Sequence, residues 1–253
     1  AHTRSNWAAG LAAKQRLQEI AARGLGGSPD DYDVGNGRVF RVGSPGTAMT
    51  FARAAERAIQ LGGAYDGHEL PESLNEMTVA TVQNHLVGQG LVVAATDEYG
   101  GNGSLRSSVV AMAVIELDVE TGMIELKDLC GVADCGTVLN PRNLYAQMSG
   151  GVLQGISQAR FEKWVYDRTW GVNANKRFHT AKPISLLDTP DVMVWDAVNI
   201  ADPETPVGSR GIGEPPVGAG GGVIVSAVYD ALGKAINRTP LTPDVILNAL
   251  EER

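Results

Sequence analysis

Val109-Val110-Ala111-Met112-Ala113-Val114-Ile115-Glu116-Leu117-Asp118-Val119, the connection Glu120-Thr121-Gly122, and Met123-Ile124-Glu125-Leu126-Lys127-Asp128-Leu129-Cys130-Gly131-Val132-Ala133 decide the fold class. Two apolar runs rich in strand formers flank a short link that ends in glycine. This pattern predicts a β-hairpin over 109–119 and 123–133. Downstream, 143–166 carries the longest helical pattern. Residues 168–191 read as irregular, Val192 to Trp195 as another strand, and a Pro/Gly loop runs through Val217. Two helices, near 219–232 and 242–251, close the chain. Upstream, 6–22 reads as a helix with Trp7, Leu11 and Ile20 among good helix formers, capped by Ser5 or Asn6. A loop from Gly24 to Asp33, a short strand Arg38 to Val42 and a helix Thr50 to Leu61 follow. Residues 62–88 read mostly as loop, Gly90 to Thr96 as a short strand, and Gly100 to Gly103 as a flexible turn. Strands and helices interleave without a regular βαβ period. The expected class is therefore α+β, with mixed sheets and packed helices.

The 253 residues, 43% of them hydrophobic, suffice for a sizeable core in one large domain or two small ones. No apolar run approaches a membrane span, and the opening Ala1-His2-Thr3-Arg4 lacks a signal pattern. A cytoplasmic location is the resulting expectation. The net charge of −8 argues against a surface that tracks nucleic-acid phosphates. Cys130 and Cys135 provide neither a disulfide framework nor the four thiolates of an iron–sulfur cluster. Their odd spacing in a strand-like run sets them on opposite faces, and both are expected to be buried, inert thiols.

Three stretches could carry chemistry. In Gly211-Ile212-Gly213-Glu214-Pro215-Pro216-Val217-Gly218 one carboxylate stands between glycines and prolines, ahead of an apolar helical run. Such a stiff turn can hold a general base in place, although a Glu there could also simply sit at the surface or cap the helix. On the 143–166 helix, Gln147, Gln154 and Gln158 share one face, and Gly150, Gly151 and Gly155 bare the helix to a close-lying backbone or a flat cofactor. At the start, Thr3, Arg4 and Ser5 bring hydroxyls and backbone N–H groups to a helix N-terminus, an arrangement suited to an anion. Gly211-x-Gly213 is a poor dinucleotide fingerprint, because prolines stand where a helix should begin. The histidines His2, His68, His85 and His179 show no metal-ligand spacing.

The Gly211–Gly218 turn resembles the Gly-x-Gly-Glu-Pro-Pro turn of the molybdenum hydroxylases, the xanthine oxidase family. Asp134-Cys135-Gly136-Thr137-Val138-Leu139-Asn140-Pro141 with Gln147-Met148-Ser149-Gly150-Gly151-Val152-Leu153-Gln154-Gly155 is similar to the family's Asp-x-Gly-x-x-x-Asn-Pro…Gln-x-x-Gly-Gly-x-x-Gln-Gly block, and Leu241-Thr242-Pro243 to its closing Leu-Thr-Pro helix. The resemblance implies that Glu214 is the general base for hydroxylation of an electrophilic carbon with water-derived oxygen. It implies that Gln147, Gly213 and the Thr3-Arg4-Ser5 segment contact a molybdenum cofactor, in bacteria usually the cytosine dinucleotide form. The family's usual Gly or Ala is His2 here. The metal is held by the pterin, so no protein ligand is required.

The motifs cover only the last third of the family's molybdenum-binding subunit, and its earlier cofactor-contacting segments lie upstream. Residues 1–253 are thus expected to be the C-terminal molybdopterin-binding region, as a fragment or, preferably, as half of a split large subunit. The implied partners are a larger molybdopterin-binding subunit, a [2Fe–2S] subunit and an FAD subunit, with a small-molecule substrate. The substrate could be a purine, another N-heterocycle, an aldehyde or an aromatic acyl thioester. Two other readings stay open: a flavin- or nicotinamide-dependent subunit, and a non-catalytic assembly subunit that completes a larger oxidoreductase.

Overall fold

The computed structural model describes residues 2–94 and 106–251, with side chains from Arg4 onward. The chain separates into two compact units, Ala1–Asn102 with Glu204–Pro206, and Gly103–Pro203 with Val207–Arg253. No helix among the described residues is long and apolar enough to cross a membrane.

The first unit holds α1 (His2–Leu25), β1 (Tyr32–Gly35), β2 (Arg38–Arg41), β3 (Ser44–Thr50), α2 (Phe51–Leu61) and α3 (Glu76–His85). The strands form an antiparallel sheet in the order β1-β2-β3. Leu17, Ile20 and Ala21 of α1 pack with Tyr32, Val39, Met49, Ala54 and Ala58 in one buried cluster. The Thr50 hydroxyl caps α2 by accepting from Arg53 N at 3.2 Å. Helix α1 begins at His2, so Ser5 and Asn6 lie inside it and not at its N-cap. Tyr32 and Asp33, expected in a loop, begin strand β1, and Ser44 to Thr50 form β3, because β2 pairs with both. Helix α3 lies in the stretch read as loop. Gly90 to Ala94 form no strand; the rest of that expected strand and the 100–103 turn lie outside the described residues.

The second unit is built on the hairpin. β4 (Ser108–Leu117) and β5 (Ile124–Asp134) pair antiparallel, and Asp118 Oδ1 accepts from Glu120 N and Thr121 N at 2.8 and 3.2 Å to form the turn. Gly122 stands at φ 72°, with Pro243 O 2.6 Å from where a Cβ would sit, so only glycine fits. β6 (Val192–Ala197) adds parallel to β5. A parallel neighbour needs a long crossover, and α4 (Pro141–Arg160) with the segment 161–191 supplies it. α5 (Pro215–Leu232) and α6 (Pro243–Glu251) complete the unit. Leu126, Leu129, Val152, Ile156, Ile224, Val228 and Ile246 form its buried core. The architecture is α+β.

Two expectations fail here. Cys135 is buried, and burial followed by the neighbouring Asp134 charge pushes its thiol above the ordinary range, but Cys130 is exposed on the outer face of β5. Helix α5 starts at Pro215 rather than near 219. The first turn of a helix has no use for the N–H groups a proline lacks, so Pro215 and Pro216 open this helix instead of forbidding it.

Candidate functional site

Helices α4 and α5 touch through glycine. A Cβ on Gly151 would lie 2.6 Å from Pro216 Cβ; one on Gly155 would overlap the Val217 carbonyl oxygen and lie 2.6 Å from Gly221 N; one on Gly220 would overlap the Val152 carbonyl. Two of the three glycines that bare α4 are thus used by the start of α5, Gly151 by the Pro216 ring and Gly155 by backbone. Gly150 faces open space. This close contact fixes where α5 begins, and Glu214 is the residue immediately before it.

Glu214 takes φ −100° and ψ −20°, its side chain caps nothing, and it is exposed. Its carbonyl accepts from Val217 N at 2.9 Å. The carboxylate is therefore held by its backbone at a defined place and left uncommitted by the capping role open to it. One residue earlier, Gly213 O accepts from Gln147 Nε2 at 2.6 Å. The bond joins residues 66 apart in sequence and ties the turn to the start of α4.

The other wall of the site is a pair of loops zipped together. Thr137 N and Asp202 N both donate to Gly208 O, at 2.7 and 2.9 Å, and Arg210 N donates to Cys135 O at 2.7 Å. Gly136 and Ser209 form a β-bridge. Gly136, at φ 72°, meets Gly208 O so closely that no side chain could fit. Asn199, in the left-handed region at φ 53°, accepts from Val138 N through Oδ1 at 2.9 Å. Asn140 Oδ1 accepts from Asn143 N at 3.0 Å and caps α4, with Pro141 in the first turn. Arg210 fastens the assembly. Its guanidinium donates to Asp134 and to Arg106 O, the latter at 2.8 Å, and Nε lies 3.4 Å from Asp202 Oδ2. This residue was not anticipated; the only sequence signal was an Arg just before the Gly211 turn.

Between these loops and α4 lies a cavity of about 310 Å3, lined by Cys135, Val138, Leu144, Gln147, Ile212 and Gly213 among others. Its walls are mostly apolar, with amides at the α4 end. Of the expected site residues, the structure brings together Gln147, Gly213 and, adjoining them in the chain, Glu214. Gln154 and Gln158 lie with Gln147 on the exposed side of α4. Arg4 and Ser5 occupy the first turns of α1, in the other compact unit; the Thr3 side chain lies outside the described ones. No group of three His, Cys, Asp or Glu residues suited to a metal occurs among the described residues.

The molybdopterin cofactor-binding domain family matches residues 6–190. The chain belongs to that family. It is similar to the gamma subunit of the 6-hydroxypseudooxynicotine dehydrogenase complex of Paenarthrobacter nicotinovorans, at 26% identity over 95% of this chain and 28% of that protein. It is 32% identical to the nicotine 6-hydroxylase large subunit of the same organism, over 54% of this chain and 17% of that one. A putative xanthine dehydrogenase molybdenum-binding subunit of Escherichia coli is 31% identical over 58% and 21% of the two chains. In fold, the chain resembles the quinoline 2-oxidoreductase of Pseudomonas putida, with a TM-score of 0.65 at 24% identity over 95% of this chain and 28% of the other. The chain thus spans between about a sixth and just over a quarter of the length of these relatives. It corresponds to part of the molybdenum-binding subunits among these relatives.

Proposed function

We propose that the chain is the C-terminal molybdopterin-binding region of a molybdenum hydroxylase, with Glu214 as the general base. The observation that carries this is the Gln147–Gly213 hydrogen bond. It locks the turn before Glu214 to the edge of an apolar cavity, at the front of a helix whose position contacts at Gly151, Gly155 and Gly220 set. A carboxylate so placed serves proton transfer, which asks for position first.

The residues present suit the cofactor. Val138, Leu144 and Ile212 line a cavity able to take a flat ring. With Nε2 spent on Gly213, the Gln147 carbonyl oxygen is left to accept from a polar ring edge. The bare surface at Gly150 admits a close approach. Bound, the cofactor supplies two-electron oxidation–reduction. The chain's own residues position and deprotonate: Gln147 orients the turn, Arg210 and the glycine-zipped loops hold the cavity wall, and Glu214 takes the proton from the water-derived nucleophile as it attacks the substrate carbon. Thr3, Arg4 and Ser5 contribute to the pterin phosphate region in this reading.

Relatives about 30% identical are named for nicotine 6-hydroxylation, for xanthine and for aldehydes, so the substrate is an N-heterocycle or an aldehyde. Electrons leave through [2Fe–2S] and FAD on partner chains. A larger polypeptide supplies the remainder of the molybdopterin-binding subunit, the cofactor is in the cytosine dinucleotide form, and the location is cytoplasmic. Metal and pterin analysis of the complex purified through a tag on this chain tests the reading. About one molybdenum and one cytosine nucleotide per copy is expected, as a site holding one cofactor requires. A complex without either would overturn it.

A further inference from the structure

Strands open to water on one face alternate polar and apolar residues; strands covered on both read as continuous apolar runs. β4 is of the second kind. Its inward residues meet the core, yet Val110, Met112 and Val114 point outward. The register sets Val110 beside Val132, Met112 beside Cys130, and Cys130 beside Val194, while Val192 stands beside Asp128. The six aliphatic and thioether side chains of this face are between 44% and 69% exposed. They form a block three strands wide, bounded by Ser108 and Glu116 on β4 and by Asp196 on β6. A three-stranded sheet whose β5–β6 pair is parallel, with helices on one face only, is an incomplete layer structure.

The occupant follows from length. The chain matches 28% of the dehydrogenase gamma subunit and 28% of the quinoline oxidoreductase chain, so nearly three-quarters of that architecture lies outside it. We propose that the outer face of β4–β5–β6 docks against that remaining portion of the molybdopterin-binding subunit. The partner surface is apolar at its centre, with a basic group opposite Asp128. The inference rests on the proposed function, which supplies the partner, and adds the surface.

Cys130, in the centre of the block, is a natural reporter, and the other thiol, Cys135, is buried and harder to ionise. The experiment co-expresses the full chain with the polypeptide that carries the rest of the subunit. It then follows N-ethylmaleimide modification of Cys130 by mass spectrometry in the complex and in the chain alone. Modification in the complex is expected to slow by about tenfold or more, since a covered thiol reacts only from its opened state. Met112→Glu with Val194→Glu should abolish co-purification, while far-UV circular dichroism of the chain alone is unchanged. Undiminished labelling in the complex, no complex at all, or protection in the isolated chain that grows with concentration (a second copy on this face) would each overturn the proposal. Molybdenum is measured on the same samples. A complex that holds molybdenum with Cys130 open refutes the surface and leaves the proposed function standing. Protected Cys130 without molybdenum does the reverse.

Discussion

Replacing Gly155 by alanine should destabilise the chain, and replacing Gly150 by alanine should stabilise it, though both stand on α4 within a turn and a half of each other. At Gly150 the new methyl meets nothing within 4 Å. The gain is the conformational entropy that glycine loses in a helix, about 0.5–1 kcal/mol. At Gly155 the methyl would sit on the Val217 carbonyl and 2.6 Å from Gly221 N. Relief to an ordinary contact requires α4 and α5 to part by roughly 1 Å. Backbone lies on the far side, so no rotamer change absorbs it. Overpacking of this kind costs about 1–3 kcal/mol, and the upper end applies here. At about 2–4 °C per kcal/mol for a chain of this size, Gly155→Ala should lower the thermal midpoint by roughly 6–12 °C. Gly150→Ala should raise it by roughly 1–4 °C. The assay is thermal unfolding at low micromolar concentration, followed by far-UV circular dichroism. Shifts of the same sign and size for both variants would refute the helix contact described here.

Gln147→Ala should lower molybdenum content while leaving the thermal midpoint within about 1 kcal/mol of wild type, because one net hydrogen bond at an exposed residue is lost. A lower midpoint with full molybdenum would make Gln147 structural. Arg210→Ala should cost about 1–3 kcal/mol in urea unfolding, since Asp134 and Asp202 lose a shared partner; no loss would mean the loops hold without it. Stability should fall as pH drops below about 4. Burial pushes the Asp188 carboxyl up, but bonds from Lys182, the Ser185 hydroxyl and Ser185 N together hold it below its ordinary 3.8. A carboxylate depressed in the folded state contributes stability above its unfolded value and loses it as pH falls through the folded one. Asp188→Asn should flatten that acid limb of the urea midpoint, and an unchanged limb would contradict the assignment.

What could be read from sequence followed how local each signal is. The 109–133 hairpin and the helices α2 and α6 carry their periods and turn residues in consecutive positions, and they fall close to where expected; α4 starts near its expected place but ends at Arg160, short of the expected 166. β1 and β3 contain Asp33, Gly35, Pro45 and Gly46, which are loop residues by any local criterion; only pairing with β2 makes them strands. Helix α3 buries only Val82 and so presents almost no period. The prolines before α5 read locally as breakers, because their meaning depends on whether they fall in the first turn. The bared face of α4 was legible, but its main occupant, the backbone of α5, is about 65 residues away in sequence. Cys130 reads as a buried thiol by the usual preference of free cysteine, but the outer face of its strand is open in this chain. In the candidate site the Glu214 frame was legible. The Gln147–Gly213 bond and the Arg210 clamp join distant segments, and nothing local announces them.

Glu214→Gln in the assembled complex is the most direct test of the central claim. The variant should keep the wild-type content of about one molybdenum per copy, because Glu214 is exposed and makes no cap bond. Turnover is measured with a dye acceptor on whichever of nicotine, quinoline, xanthine, hypoxanthine or an aldehyde the wild-type complex oxidises. Loss of a general base predicts a fall of about 10²–10⁴-fold. Near wild-type turnover at full molybdenum occupancy would contradict the assignment of Glu214 as the base.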